Sequence, residues 1–227
     1  MTTPPSNTNG RPSTQPGPVA TAGERPSGDA LRRAILDEAR RLLLADGYDS
    51  LSMRKIAVAV GCSATSIYLH FASKDALIHA LIDEGMATLH RELEQAEAAH
   101  ADPVERLLAM AQGYVRFGLE NAEYYEVMFL LRPEQMARYP AENYRRARRN
   151  LGLFAEALAA GAAAGLLDVT RPEVASSVLW ASLHGAVSLV MAQRVDVKIP
   201  QADFVDEAVR RAVQGFRRAA VVTGDDA

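Results

Sequence analysis

The sequence predicts an all-α protein: an N-terminal three-helix domain built on a helix-turn-helix, joined by a long helix to a larger helical domain. Three observations predict it. Apolar residues recur at i, i+3, i+4 and i+7 on both sides of Gly61, the period of a helix with one buried face. A further stripe, Leu77, Ile78, Leu81, Ile82, Met86, Leu89 and Leu93, runs far enough to connect two domains. Near the other end, Val174 to Ala192 contains no Asp, Glu, Lys or Arg, as expected of a helix buried on two sides.

Residues 1–28 hold six prolines among Gly, Ser, Thr and Asn, and no apolar run of signal-peptide type. Such a stretch buries too little to offset its ordering and is expected to be a disordered tail. The first helix should start near Asp29 and stop at Gly47. Its buried stripe is Leu31, Ile35, Ala39, Leu42 and Leu43, with Arg32, Arg33, Arg40 and Arg41 outside it and Tyr48 packed at the corner. Met53, Ile56, Ala57 and Val60 form the next inner face, and Gly61 ends that helix because the position needs positive φ.

Ser63 can cap the helix that follows. Spacing places Ala64, Ile67, Tyr68 and Phe71 on its inner face, and Thr65, Ser66, Leu69 and His70 on the outer one. Cys62, in the turn, is read as a small residue filling a tight corner rather than a redox switch. Ser73 caps another helix and puts Lys74 in its first turn. A cation there opposes the helix dipole by ~0.3–1 kcal/mol, unless an external anion such as a phosphate binds at that end.

Helix, short turn with Gly, helix is the layout whose second helix enters the major groove of DNA. Two hydroxyls and an imidazole suit base edges or phosphates, and Leu69 a thymine methyl. Two amphipathic helices of an ordinary bundle would show the same spacing. The formal charge is −3, but Leu31 to Lys74 carries +3, residues 1–30 carry none and the remainder carries −6. A basic module on an acidic body can still bind phosphates.

Ile35-Leu-Asp-Glu-Ala39, Gly47-Tyr48, Leu51-Ser-Met-Arg-Lys-Ile-Ala57, Gly61, Ile67-Tyr68-Leu-His70-Phe71 and Ser73-Lys74-Asp75-Ala-Leu77 together are specific. Through them residues 31–82 resemble the DNA-binding domain of the TetR (tetracycline-repressor-like) family. The resemblance implies a homodimer that binds a palindromic double-stranded DNA operator and usually represses. It implies release when a small-molecule effector binds the C-terminal domain. It also implies that Arg54, Thr65, Ser66, Tyr68, Leu69, His70 and Lys74 face DNA, with Ser63 and Ala64 at the start of the same helix. Many members have Gly where this chain has Thr65, which leaves the base preference open. The expected division is a tail at 1–28, a helix-turn-helix domain at 29–75, a ligand-binding and dimerisation domain at 76–221, and a tail at 222–227.

Along the second domain, a helix runs from Lys74 towards Ala98, and Asp102-Pro103 opens the next. Val104, Leu107, Leu108, Ala111, Val115 and Leu119 line it. Tyr114, Phe117, Tyr124, Tyr125, Met128 and Phe129 are either plain core or the wall of a pocket. Pro133 and Pro140 punctuate a loop. One helix is expected from about Ala141 to Ala164, carrying Arg145, Arg146, Arg148 and Arg149 as a solvated face, or as a binding site for an acidic ligand or the DNA domain.

Arg171-Pro172-Glu173 opens the charge-free helix, which is of membrane-spanning length. Four serines and His184 speak against a membrane and for burial between its own core and a second subunit. The last helix, about Gln201 to Ala220, has Val205, Ala208, Val209, Ala212, Val213 and Phe216 on one face. These two helices are the expected homodimer interface. Trp180 and His184-Gly185 resemble the signature of one C-terminal TetR subtype. The pocket candidates are Tyr114, Phe117, Met128, Trp180 and His184.

No cofactor or metal is expected, and no enzyme. The chain lacks a Gly-rich phosphate loop, G-x-S-x-G, HExxH and CxxC, although an all-helical enzyme or small-molecule carrier is the alternative. With one cysteine there is no intrachain disulfide, which fits the cytoplasm.

Overall fold

The computed structural model describes residues 1, 28–131 and 137–218. The expectations for the two tails and for Pro133 fall outside these residues. Within them the chain is helical, and one isolated antiparallel bridge joins Leu167 to Arg217.

Helix α1 (Gly28–Ser50) buries Ile35, Leu36, Ala39 and Leu43. It breaks where expected, at Gly47 (φ 76°, ψ 171°), and a further half-turn carries Tyr48 into the core. Helix α2 (Met53–Val60) starts at Ser52, whose Oγ accepts from the Lys55 N–H at 3.2 Å. It ends at Gly61 in the left-handed region (φ 74°, ψ 31°), where the Gly61 and Cys62 N–H groups bond back to Val58 and Ala57. A side chain at that φ is strained, so Gly61 lets the chain turn within two residues.

Helix α3 (Ala64–Tyr68) is capped by Ser63, which accepts from the Ser66 N–H at 3.0 Å. Helix α4 (Lys74–Ala98) is capped by Ser73 onto Ala76. Each Ser satisfies a donor the helix leaves free, which is worth about 1 kcal/mol per cap.

Helix α5 (Pro103–Glu120) starts as expected, with Asp102 accepting from Val104 and Glu105 at 2.9 Å. Helix α6 (Ala122–Tyr125) runs directly into a π-helix, Glu126–Leu130. The helix expected over 141–164 is two, α7 (Ala141–Ala147) and α8 (Arg149–Ala163), with a turn at Arg148. Helix α9 spans Pro172–Met191. Helix α10 spans Gln201–Gln214 and stops short of the expected Ala220. Beyond it the Arg218 N–H bonds to Leu166, and the Asp168 N–H bonds to Phe216. These bonds take the chain out of the helix.

Two hydrophobic clusters divide the molecule. One gathers Ile35, Leu43, Ile56, Ile67, Phe71 and Leu81 with their neighbours; the other gathers Leu107, Phe117, Tyr125, Phe154, Leu183 and Val213 with theirs. Helix α4 feeds both, through Leu77, Ile78, Leu81 and Ile82 at one end and Leu89 and Leu93 at the other. Helix α9 is long and apolar enough to span a membrane by length and composition, with mean hydropathy 1.5. It buries Ala175, Leu179, Leu183, Ala186 and Val187 on one side only; Val174, Val178 and Leu189 on the other are 44–53% exposed.

Candidate nucleic-acid interface and internal cavity

Ile67 and Phe71 anchor α3, at 0% and 4% exposure. Around them Ser63, Ala64 and Thr65 are exposed, Ser66 and His70 half-buried, and Tyr68 and Leu69 are 55% and 81% exposed. Spacing had placed Ala64 and Tyr68 inside, and both lie outside. Helix α3 has only five residues, and the bond from His70 N–H to Ile67 O tightens the chain past it. Phe71 therefore turns inward without help from the residues a longer helix would align with it.

The exposed side offers the hydroxyls of Thr65 and Tyr68, the His70 imidazole and an apolar Leu69. The hydroxyls of Ser63 and Ser66 bond each other at 2.8 Å. Arg54 is exposed and makes no ion pair among the described residues. Lys74 is half-buried: its ammonium donates to Tyr48 O at 3.1 Å and lies 3.7 Å from that ring's centroid. The carbonyl and the ring offset the cost of a cation at this helix start, and two of its three donors stay available.

A cavity of about 370 Å³ opens in the other domain, between α4, the π-helix, α7, α8 and α9. Tyr114, Met128 and Trp180 line it; Phe117 and His184 do not. Phe117 is fully buried in the core. His184 stands behind Tyr125. The Trp180 indole N–H donates to Tyr114 Oη at 2.9 Å, Tyr114 meets Tyr125 Oη at 2.9 Å, and Tyr125 meets His184 Nδ1 at 2.6 Å. Burial raises the pKa of both tyrosines, so the hydroxyls stay protonated as donors. Tyr139, Tyr144, Asn150 and Phe154 line the cavity too and escaped the sequence reading, and Arg148, one of the four arginines read as a solvated face or an acidic-ligand site, lines it as well. The arginine run was the one available signal for Arg148.

Three side chains on α4 at i, i+4 and i+8 tie this cavity to the helix-turn-helix. Asp75 accepts from Tyr48 Oη and, at 3.0 Å, from the Ala137 N–H. His79 Nε2 lies 3.0 Å from Ala137 O. Asp83 accepts from Tyr139 Oη at 2.6 Å and Asn143 Nδ2 at 2.7 Å, with Arg146 at 3.8 Å. The Tyr48 hydroxyl, then the Ala137 N–H, holds the Asp75 carboxyl below the usual range despite partial burial. Tyr139 belongs to this ladder and to the cavity wall alike.

Residues 35–81 match the family model of bacterial regulatory proteins of the tetR family, and residues 107–215 that of the tetracyclin repressor-like C-terminal domain. The chain belongs to the TetR family. A helix-turn-helix transcriptional repressor of Mycobacterium tuberculosis is 47% identical over 55 residues, 24% of this chain and 29% of that protein. Further curated relatives are matched over 34–44% of their own length, so the chain spans less than half of each. A protein of unknown function from Rhodococcus sp. RHA1 superposes with TM-score 0.73 at 25% identity, over 87% of this chain and 100% of that one. AibR in complex with isovaleryl coenzyme A and operator DNA shares the fold, with TM-score 0.61 at 24% identity over 79% and 96%.

Proposed function

We propose that this TetR-family protein is a cytoplasmic, DNA-binding transcriptional repressor. It binds a palindromic operator as a homodimer, and a small-molecule effector in the C-terminal cavity releases it. The observation that carries the first half is the face of α3. Tyr68 and Leu69 stand in solvent although the helix is fixed by a capped start and two buried anchors. An exposed aromatic and an exposed leucine beside hydroxyls serve a duplex groove better than they serve solvent.

The dimer reading rests on α9, whose apolar outer side is left uncovered among the described residues. A second copy related by a two-fold axis would cover it together with α10. In the effector reading, Trp180 and Tyr114 are contacts and His184 sets the tyrosine chain behind them, in line with the Trp180/His184-Gly185 subtype resemblance. Filling the cavity moves Tyr139, and the Asp83–Asp75 ladder passes that shift to Tyr48 and the start of α4. An effector that binds the shifted state better moves the population off DNA.

A gel shift with the DNA upstream of the protein's own gene tests this reading. Retardation at salt near 0.1 M that competitor DNA of unrelated sequence fails to remove is the expected result. No retardation at micromolar protein refutes it.

A further inference from the structure

The cavity wall has already used most of its hydrogen-bonding groups. Trp180 N–H donates to Tyr114 Oη, the Tyr114 and Tyr125 hydroxyls meet at 2.9 Å, and Tyr125 Oη meets His184 Nδ1 at 2.6 Å, so these groups are engaged with one another. Asn150 gives its amide to Met86 O and accepts from His90 Nδ1. Tyr139 donates to Asp83. What remains inside is apolar: Met86, Leu89, Phe129 and Phe154.

At the rim, Arg148 and Tyr144 remain as donors among the described residues. Arg148 and Tyr144 are both exposed, one helical turn apart, and both line the cavity. Among the described residues Arg148 makes no ion pair, whereas the neighbouring Arg146 is 3.8 Å from Asp83. An apolar interior with an unspent guanidinium at its mouth selects one kind of guest.

We infer that the cavity takes an aliphatic carboxylate, with its tail against Phe154 and Trp180 and its head on Arg148 and Tyr144. About 370 Å³ holds on the order of a dozen water-sized groups, so a medium-length chain fits. An ammonium head would meet the arginines, and an alcohol would leave the charge of Arg148 unused. This assignment rests on the effector reading for its consequence, not for its chemistry.

Trp180 is the one tryptophan of the chain, so its emission reports occupancy. The full-length protein is titrated with decanoate, decanol and decylamine, each below micelle-forming concentration. Decanoate binds best, decanol about fivefold weaker and decylamine weaker still, the size expected of an ion pair partly open to solvent. Arg148→Gln abolishes the preference for the acid and leaves decanol unchanged. Equal affinities in the wild type, a preference that survives Arg148→Gln, or no emission change with any probe overturns the assignment. Operator DNA is then followed by anisotropy. Decanoate that fills the cavity of the protein without releasing DNA upholds the carboxylate assignment and refutes the effector reading.

Discussion

Replacing Tyr48 with Phe removes one hydroxyl and keeps the ring under Lys74. The lost group is a donor to Asp75, and the carboxylate keeps the Ala137 N–H as partner. A hydrogen bond to a charged acceptor contributes ~1.5–3 kcal/mol. Asp75 is half-exposed, so water replaces part of the loss and about 1–1.5 kcal/mol is expected. Urea unfolding measures it, read as a shift in midpoint at constant slope.

The pH dependence has a definite sign. The Asp75 pKa is lowered in the folded state, so its contribution is present above the unfolded value, about 3.9, and fades as pH falls through the folded one. The gap between wild type and Tyr48→Phe should therefore be full at pH 7 and shrink below about pH 4. At the other end, burial and then the Asp75 bond push Tyr48 up to about 12. Its contribution is present below about pH 10 and is lost as pH rises toward that value. A double-mutant cycle with Asp75→Asn should return about 1 kcal/mol of coupling. Coupling indistinguishable from zero, or a gap unchanged at pH 3, would refute the assigned bond.

Four further outcomes are expected. Gly118→Ala destabilises by about 1–2 kcal/mol, because its Cβ would lie 2.8 Å from Val187 Cγ1 and 3.0 Å from the Tyr125 ring. Gly152→Ala has nothing within 4 Å and stabilises by ~0.5–1 kcal/mol, both read by thermal unfolding. Asp83→Asn weakens the hold on Tyr139 and Asn143, so the protein keeps DNA binding but responds less to effector, as anisotropy with and without decanoate would record. Val178→Glu places a charge on the open side of α9 and shifts the protein toward monomer in light scattering; a dimer of unchanged affinity would reject α9 as interface.

Local signals carried most of what the sequence revealed. Ser63, Ser73 and Asp102 start helices where they were expected, and Gly47 and Gly61 break or end them, because caps and positive φ depend on neighbouring residues alone. Periodicity failed where helices are too short to average over, as for Tyr68 on α3. It also missed the turn at Arg148 and the π-helix at Glu126–Leu130, neither of which carries Gly or Pro. Phe117 sits one turn from Tyr114, yet only Tyr114 reaches the cavity; a helical stripe is wider than a cavity wall. Asp75 and Asp83 bond to residues about sixty positions further along the chain, and no local pattern announces such pairs.

In the proposed function, α3 reads DNA with the side it turns to solvent. Anisotropy of labelled upstream DNA, titrated with wild type, Tyr68→Ala and Arg54→Ala across a salt series, addresses it most directly. Both variants should bind more weakly, and Arg54→Ala should lower the salt slope by about 0.9. Affinity and slope identical to wild type in both would rule out this face of α3 as the DNA contact.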